Sequence, residues 1–377
     1  MYNIAVVNTL LVPSGEASVN RILSYSKGLV EMGDKVTVLS SAFSEKPRGE
    51  INGIGYINLG KGRGLKSLIL ALLMMLKTIW TNKYDAIILV SNSLFLIYPI
   101  VAISKIRGIK ILQEKSEFPF VLLKQGLINK LYAKIYVSTT YRLFDGLVVM
   151  TSPLKDYFAN KVRKDCIIIE VPMTVDLNRF DIERSQVSSF GKYVAYCGDM
   201  SGNKDGVENL IKAFSIASKI LSDIKLLLIG GSSNDVEYKR LKSLADNECP
   251  GKVIFYGRVS REAIPQLLKD AHALALARPS SLQSSGGFPT KLGEYLATGN
   301  PVLVTAVGDI PKYLNDDNAF IVRPDDNQAF ADKIIALFQD YDNARKVGLK
   351  GRRMAQSTFN YQVQSPRIHQ IIEQLCE

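Results

Sequence analysis

The sequence predicts an α/β fold made of two successive doubly wound domains, each with a parallel sheet covered by helices on both faces. Its 377 residues exceed what a single hydrophobic core usually fills. Its composition, with 47% hydrophobic and 22% charged residues, is typical of a folded globular protein. Short apolar strand patterns alternate with helical patterns along the chain, and this alternation predicts parallel sheets.

The first half repeats a strand–helix–strand pattern. The strand YNIAVVN precedes the helix SVNRILSYSKGLVEMG and the strand KVTVLSS. Further along, YDAIILVS, LFLIYPIVAISKIRG, IKILQEK and YRLFDGLVVMTS continue the alternation. Residues 86–104 carry no charge and are long enough to span a bilayer. Because polar residues at 91–93 and Pro99 interrupt them, we expect a buried strand, a turn and a core helix instead.

The second half repeats the same pattern, from the strand YVAYCGDM through IKLLLIGG and KVIFYG to HALALARP and PVLVTA, with helices between them. The polar stretch 172–191 has no clear periodicity and is expected to contain the domain boundary. The predicted domains are residues 1–180 and 181–355. Residues 356–377 are expected to form a helix that packs back on the first domain.

The formal net charge of +11 is concentrated in one segment. Residues 51–150 hold 13 Lys and Arg against 4 Asp and Glu, whereas the rest of the chain holds 34 against 32. Such a surface suits lipid headgroups, nucleic acid or a phosphorylated acceptor, although a solvated basic face is the alternative. Helices in this segment combine apolar residues with Lys77, Lys124, Lys130, Lys134 and Arg142, as helices on an anionic membrane surface do. The alternative for each helix is an ordinary core-facing helix with its lysines in solvent.

The start of the chain and its cysteines indicate a cytoplasmic protein. The opening MYNIAVVN runs straight into a strand pattern, so no signal peptide is expected. The four cysteines are far apart without metal-like spacing, which predicts reduced thiols. Together with the basic segment, these features predict a cytoplasmic protein in peripheral contact with the inner face of the membrane.

The stretch GGFPTKLGEYLATGNPV, residues 286–302, is the strongest candidate for a ligand site. Ligands of open α/β sheets bind beyond the carboxyl ends of strands, and this stretch follows the strand HALALARP. Pro289 suits a helix entry, and amides near Thr290 at the helix start attract phosphate. Lys291 adds a positive charge, and Glu294 can accept two hydroxyl hydrogens, as from a ribose. The alternative is an ordinary helix with a solvated glutamate.

Other loops after predicted strands carry residues that suit an anionic ligand. Lys204 lies between two glycines after YVAYCGDM, and Arg258 follows KVIFYG. In the first half, Gly15 can admit a ligand closely. The segment QEKSEFP is expected to be a loop that presents Glu114 and Glu117.

Together these segments resemble the GT-B-fold glycosyltransferases of the large retaining group called family 4, or group 1. The stretch 286–302 is similar to the E-x7-E segment of the family, and PMTVDLNRF to its PNGVDxxRF linker. GDMSGNKDGVENLIKAF is similar to its phosphate-binding turn, and GEASVNRILSYSKGLVEMGDKVTVL to its N-terminal glycine loop and helix.

The resemblance implies two Rossmann-like domains that face a central cleft, with a nucleotide-diphosphate sugar on the second and an acceptor on the first. It implies that Lys204 binds the diphosphate and that Glu294 binds the ribose. The 257–259 turn, with Arg258, would meet the base. The sugar and phosphate region would be lined by Gly287, Phe288, Pro289 and Thr290.

The chain departs from the family pattern at two positions. Gly286 stands where the family has the first glutamate, and Asp199 stands where it has an arginine. We therefore expect Arg278 to help Lys204 with the diphosphate. No metal or other cofactor is expected to be required, because helix amides, Lys204 and Arg278 can neutralise the leaving group.

The only two histidines, His272 and His369, are expected to be structural. Retaining transfer can use the departing phosphate oxygen as its base, and Glu117 could orient or deprotonate an acceptor hydroxyl. The activity that the resemblance implies is a retaining hexosyl transfer from a nucleotide-diphosphate sugar to a glycan or lipid-linked acceptor, expected in surface polysaccharide or glycoconjugate biosynthesis. The alternatives are a sugar-nucleotide epimerase or hydrolase, or a non-catalytic protein that binds nucleotide sugars or nucleic acid.

Overall fold

The computed structural model describes all residues except 15, 63, 120–126, 187–188 and 233, and also omits the side chains of 127 and 128. It divides the chain into two compact units. The N-terminal unit comprises Met1–Thr174 and Tyr361–Glu377, and the C-terminal unit comprises Val175–Asn360. The chain therefore returns to the N-terminal unit for its last 17 residues.

The N-terminal unit is built on an eight-stranded sheet in the order β3-β4-β2-β1-β5-β6-β7-β8. Its strands are β1 (Asn3–Asn8), β2 (Lys35–Phe43), β3 (Arg48–Ile51), β4 (Ile54–Gly60), β5 (Ala86–Val90), β6 (Lys110–Lys115), β7 (Gly146–Val149) and β8 (Ile167–Glu170). All neighbouring strands are parallel except β3 and β4. The helices between them are α1 (Ala17–Glu31), α2 (Leu65–Thr81), α3 (Leu94–Arg107), α4 (Leu127–Thr139) and α5 (Ser152–Ala159).

The antiparallel β3–β4 hairpin is an element that the alternation of strands and helices does not predict. Its turn places Asn52 at φ 52° and Gly53 at φ 76°. Two successive positive φ angles at Asn-Gly match the twist of a two-residue hairpin. The hairpin extends one edge of an otherwise parallel sheet.

The C-terminal unit has a six-stranded parallel sheet in the order β11-β10-β9-β12-β13-β14. Its strands are β9 (Lys192–Asp199), β10 (Ile224–Gly231), β11 (Val253–Gly257), β12 (Ala273–Leu276), β13 (Val302–Thr305) and β14 (Phe320–Val322). Its helices are α6 (Val207–Ser218), α7 (Asp235–Glu248), α8 (Ile264–Lys269), α9 (Leu282–Gly286), α10 (Lys291–Thr298), α11 (Ile310–Tyr313), α12 (Asn327–Gln339) and α13 (Tyr341–Thr358). Both units thus confirm the predicted doubly wound α/β class.

The last helix, α14 (Tyr361–Cys376), belongs to the N-terminal unit. Its residues Ile368, Ile371 and Ile372 are buried in one cluster with side chains of β1 and α1. Close packing brings Gly28 of α1 against Ser365, where any larger side chain would overlap the serine. Hydrophobic burial therefore ties α14 to α1.

The uncharged stretch at 86–104 forms β5, a short turn and α3. Within the part of the chain that the structure describes, no helix combines the length and the hydropathy needed to cross a membrane.

Candidate functional site

The topology of the C-terminal unit places one switch point beside β9. The chain passes from β9 to β10 and β11 on one side, and then returns to β12, which pairs with the other side of β9. Loops that leave β9 and β12 in opposite directions open a crevice at the carboxyl ends of the strands, where α/β sheets bind ligands. The predicted ligand residues Lys204, Arg278 and 286–294 follow these two strands.

The turn after β9 is folded tightly onto the end of β12. Gly202 and Gly206 both adopt left-handed backbone angles, with φ of 63° and 68°. A Cβ atom on Gly206 would overlap the carbonyl oxygen of Ala277, just after β12, whereas one on Gly202 would meet open space. Lys204 is exposed on this turn, and its backbone carbonyl accepts a hydrogen bond of 3.2 Å from Nε of Arg278.

Asp199, which replaces the family arginine, acts locally in this turn. Its Oδ1 accepts hydrogen bonds from the amide and the hydroxyl of Ser201, at 3.2 and 2.9 Å. A short polar side chain that bonds two residues ahead shapes a loop. Asp199 therefore stabilises the turn in which Lys204 lies.

A buried charge cluster joins the two loops at the switch point. Oδ2 of Asp205 is bonded by the ammonium of Lys291 and by the hydroxyl of Tyr196, and its Oδ1 lies 3.7 Å from Nε of Arg278. Arg278 is only 1% exposed. Burial by itself raises the pKa of Asp205, but Lys291 and Arg278 outweigh it and hold that pKa below its usual range.

This cluster shows a feature that sequence reasoning missed. Two cations share one carboxylate, and they lie beside the loop predicted to hold a diphosphate. Asp205 is the residue after Lys204, yet its partner Lys291 lies 86 residues further along the chain. The only sequence signal is an acidic residue inside a turn otherwise suited to anions.

The loop that precedes α10 is largely buried. A capping box between Ser281 and Ser284 starts α9, and Gly287 and Pro289 are buried after it. The amides of Leu292 and Gly293 already donate to carbonyls of Pro289 and Thr290. The backbone amides of residues 290 and 291 come before these two donors along the chain. Because the first amides of a helix have no carbonyl partner within the helix, these two are the candidates to bind a ligand.

Phe288 was expected to line the sugar and phosphate region, but its side chain packs into an aromatic group instead. Its ring packs against the rings of Tyr313 and Phe359, with centroids 5.7 and 5.4 Å away. Because the side chain is buried in this aromatic group, it contributes to the core.

Glu294, one turn into α10, is paired with Arg179. Its Oε1 accepts a hydrogen bond of 2.9 Å from Nη1 of Arg179, and both side chains are largely buried. Arg179 lies in the short 3-10 helix Leu177–Phe180 and also donates to the carbonyl of Arg261. Sequence reasoning missed Arg179, although it stands in the segment PMTVDLNRF that carried the family resemblance.

Arg258 lies at the carboxyl end of β11, two strands away from β9 in the same sheet. It follows Gly257, which has φ 86°, and it is exposed. Its side chain lies against Gly231 at the end of β10, so close that a Cβ there would be 3.3 Å from Nε of Arg258. Arg258 therefore covers the carboxyl ends of β10 and β11.

The two histidines pack structurally in their own units. Burial lowers the pKa of His272 to about 4, and its ring lies among Tyr193, Phe338 and Tyr341. Nδ1 of His369 lies 2.7 Å from Oδ2 of Asp34. Among the described residues, no group of three or more His, Cys, Asp or Glu side chains is arranged to hold a metal ion.

In the N-terminal unit, the structure can be compared with the predicted positions of Gly15, Glu114 and Glu117. Gly15 lies outside the described residues. Glu117 is half-buried in the loop after β6. The expectation that Glu114 lies in that loop is wrong, because β6 continues to Lys115 and Glu114 is buried in it. Its carboxylate pairs with Arg21, which also donates to the carbonyls of Pro172 and Val171.

A second buried cation, Lys115, ends β6. Its Nζ donates to Oδ1 of Asn92 at 2.6 Å, contacts the hydroxyl of Tyr136 and lies 4.7 Å from the centre of that ring. These partners are neutral groups. Burial lowers the pKa of Lys115 to about 7. The sequence pattern indicated a strand here and two candidate glutamates, but not a buried lysine.

We expect the buried lysine to make the stability of the protein depend on pH in a defined window. Between pH 7 and about 10, the unfolded chain keeps a proton on Lys115 that the folded chain has released, so the free energy of unfolding rises with pH. One proton contributes at most about 1.4 kcal/mol per pH unit. Urea unfolding from pH 6 to 10 should show that Lys115→Met lacks this rise, whereas the exposed control Lys35→Met keeps it. Parallel pH profiles for wild type and Lys115→Met would contradict the assignment.

Comparison with known proteins identifies the family that this C-terminal site resembles. Residues 191–340 match the family described as Glycosyl transferases group 1. The chain resembles the group 1 glycosyl transferases. The matched segment contains both loops of the switch point and α10, and it supports the predicted glycosyltransferase class. An uncharacterized glycosyltransferase of Methanocaldococcus jannaschii is 22% identical over 276 residues, which cover 71% of this chain and 68% of that protein.

Solved structures match the fold of this protein along its whole length. Sucrose-phosphate synthase from Thermosynechococcus elongatus is 18% identical with a TM-score of 0.76, and the match covers 100% of this chain and 99% of that one. Anabaena Alr3699/HepE, solved in complex with UDP-glucose, is 15% identical with a TM-score of 0.77 and covers 99% and 100%. These matches confirm the predicted GT-B fold.

Proposed function

We propose that this protein transfers a hexosyl group from a nucleotide-diphosphate sugar to a glycan or lipid-linked acceptor, with retention at the anomeric carbon. The observation that carries the donor assignment is the switch point of the C-terminal unit. There, a tight glycine turn, the buried Arg278, the partly buried Lys291 and the start of α10 meet at the carboxyl ends of β9 and β12. The UDP-glucose complex of the similarly folded HepE supports the same donor class.

The diphosphate is assigned to the charges and amides of the two loops. Lys204 lies on the turn after β9, and Arg278 lies just after β12. The two loops are joined by the hydrogen bond from Arg278 to the backbone carbonyl of Lys204. Lys291 opens α10, whose first amides attract phosphate. Fixed donors of this kind stabilise the negative charge that develops on the leaving diphosphate, so no metal or other cofactor is required in this proposal.

The remaining donor contacts follow from the same geometry. Glu294 accepts the ribose hydroxyls, while Arg179 holds its Oε1 in place. The exposed Arg258 at the end of β11 meets the base. The buried backbone of Gly287 and Pro289 and the side chain of Thr290 line the sugar and phosphate region.

The chemical step proposed is a same-face displacement. The bond between the anomeric carbon and the phosphate oxygen breaks, and a bond to the acceptor oxygen forms on the same face. The proton of the acceptor hydroxyl passes to the departing phosphate oxygen. In this step Glu117 is assigned to orient the acceptor hydroxyl, and Lys204 to stabilise the leaving group.

The expected setting is surface polysaccharide or glycoconjugate biosynthesis at the inner face of the membrane. The 13 basic residues of 51–150 suit an anionic surface, and lipid-linked acceptors are presented there. Product analysis separates the alternatives. A transferase forms glycoside only when acceptor is present, a hydrolase or epimerase converts the donor without it, and a binding protein leaves the donor intact.

Glu294 provides the test of donor binding. We expect nucleotide-diphosphate sugars to raise the melting temperature of the wild type in a thermal-shift screen. Glu294→Ala should weaken that binding about tenfold or more, because hydrogen bonds to a charged group contribute about 1.5–3 kcal/mol each. The matched control is Glu248→Ala at the end of α7, which should bind as the wild type does. The proposal fails if no nucleotide diphosphate stabilises the protein and Glu294→Ala leaves activity unchanged.

A further inference from the structure

Three α-helices of the N-terminal unit, α2, α3 and α4, carry no acidic residue. The sequences of α2, α3 and α4 contain no Asp or Glu, but they contain six cations: Lys66, Lys77, Lys105, Arg107, Lys130 and Lys134. Surface helices usually mix both signs of charge. A purely basic set of neighbouring helices therefore needs an explanation other than solubility.

The exposed side of α2 is also strongly apolar. Leu65 is 69% exposed and Trp80 is 50% exposed, and Ile69, Leu70 and Leu73 are exposed as well. At 100° per residue, these five side chains and the two lysines of α2 lie within an arc of about 140°. The opposite side buries Ala71, Met75 and Ile79 against the unit. The helix thus has two apolar faces, and only one of them is covered within the N-terminal unit.

The apolar surface continues onto the next two helices. The guanidinium of Arg107 at the end of α3 lies 5.3 Å from the ring of Trp80 on α2. The hydroxyls of Tyr98 on α3 and Thr139 on α4 are hydrogen-bonded. Exposed apolar side chains on these two helices are Phe95, Tyr98, Ile106, Leu131 and Ile135. We call the solvent side of α2, α3 and α4 the acid-free helical face.

We propose that the acid-free helical face docks on a lipid bilayer that contains anionic lipids. Its aliphatic side chains and Trp80 enter the headgroup and acyl boundary, and its lysines and arginine contact lipid phosphates. This deepens the proposed function, on which it rests for the location of the acceptor, by assigning membrane contact to one surface. Of the lysines predicted to contact the membrane, Lys77 lies in α2 and Lys130 and Lys134 lie in α4, whereas Lys124 lies outside the described residues.

Two other occupants are disfavoured by the same observations. A second copy of the chain would bring six cations against six cations, and like charges oppose such pairing. Nucleic acid would be bound by the cations but leaves five exposed apolar side chains on α2 without a partner. A bilayer matches both the charge and the apolar area.

The single tryptophan of the chain gives a direct readout, because it lies on this face. With full-length protein and phosphatidylcholine vesicles containing phosphatidylglycerol, we expect co-sedimentation and a blue shift of Trp80 emission. Pure phosphatidylcholine vesicles should bind at least tenfold more weakly, and added salt should weaken binding to the anionic vesicles.

Paired variants separate the charged and apolar contributions. Ile69→Ser/Leu73→Ser and Lys66→Glu/Lys77→Glu should each reduce partitioning to anionic vesicles at least tenfold. The control Lys35→Glu/Lys46→Glu changes two exposed lysines elsewhere in the N-terminal unit and should bind normally. Melting curves show that each variant is folded, and nucleotide-sugar binding by the C-terminal unit is measured separately. If the protein does not bind vesicles but still binds nucleotide sugars, the membrane-docking proposal is refuted and the proposed donor binding is not.

Two results would overturn the proposal. One is an unchanged Trp80 spectrum together with unchanged vesicle binding in both variants of α2. The other is a lipid-free dimer that Ile69→Ser/Leu73→Ser converts to monomer, since the face would then be covered by a second copy.

Discussion

Replacing Gly206 with alanine is expected to destabilise the C-terminal unit by about 2–5 kcal/mol. Gly206 has φ 68°, where a non-glycine residue costs about 1–2 kcal/mol. Its new Cβ would also overlap the carbonyl oxygen of Ala277, which is backbone and cannot rotate away. Such overpacking costs about 1–3 kcal/mol more. Because this contact sets the position of the turn that carries Lys204, donor affinity should fall as well.

Gly202 supplies a matched control in the same turn. Its φ of 63° is nearly the same, but a Cβ there would meet no atom within 4 Å. Gly202→Ala should therefore cost only the backbone strain of about 1–2 kcal/mol. For a unit of this size, each kcal/mol lowers the melting temperature by about 2–4 °C. Equal melting temperatures for the two variants would show that the approach to Ala277 does not constrain the turn.

The second large effect is expected from Lys291→Met, which removes the main cation bound to Asp205. Breaking a buried ion pair from one side usually costs about 3–5 kcal/mol. We expect about 2–4 kcal/mol here, because Arg278 at 3.7 Å and the hydroxyl of Tyr196 still face Asp205. Urea unfolding at pH 7 measures the loss, and loss of the charge should also weaken binding of the donor diphosphate.

The pH dependence of this loss has a definite sign. Lys291 and Arg278 hold the pKa of Asp205 below its unfolded value, so this carboxylate contributes stability above the unfolded pKa of about 3.9. That contribution disappears as pH falls through the folded pKa. The destabilisation by Lys291→Met should therefore be full at neutral pH and shrink in acid.

A double-mutant cycle distinguishes a coupled pair from two independent sites. Asp205→Asn/Lys291→Met should recover part of the stability lost by Lys291→Met at pH 7, with a coupling of about 1–3 kcal/mol. The exposed pair Lys192–Asp223 is the control, and Lys192→Met should change stability little. Strict additivity of the Asp205 and Lys291 changes would contradict the buried cluster.

Much of the architecture could be predicted from the sequence because it depends on neighbours along the chain. Local hydrophobic periodicity predicts the alternation of strand and helix, as in β9, α6 and β10 or in β5, α3 and β6. The hairpin of β3 and β4 was missed because its signal, Asn52-Gly53, is two residues long within a weakly patterned segment.

Parts of the candidate site could not be predicted in this way. The sequence indicated a ligand loop before α10 and cations after β9 and β12, and the structure brings Arg278 and Lys291 together there. It did not indicate that Asp205 holds both cations or that Arg179 holds Glu294. These partners are separated by up to 115 residues, and their contact depends on which strands lie side by side.

The sequence by itself determined the α/β class, the position of the candidate loops after β9 and β12 and the excess of positive charge in residues 51–150. Only the tertiary structure decided which charges are paired, that Lys115 is buried among neutral groups and that the apolar side of α2 is exposed. The physical reason is that periodicity and turn chemistry are local properties of the chain. Burial and charge pairing depend instead on the order of strands in the two sheets and on the packing of helices against them.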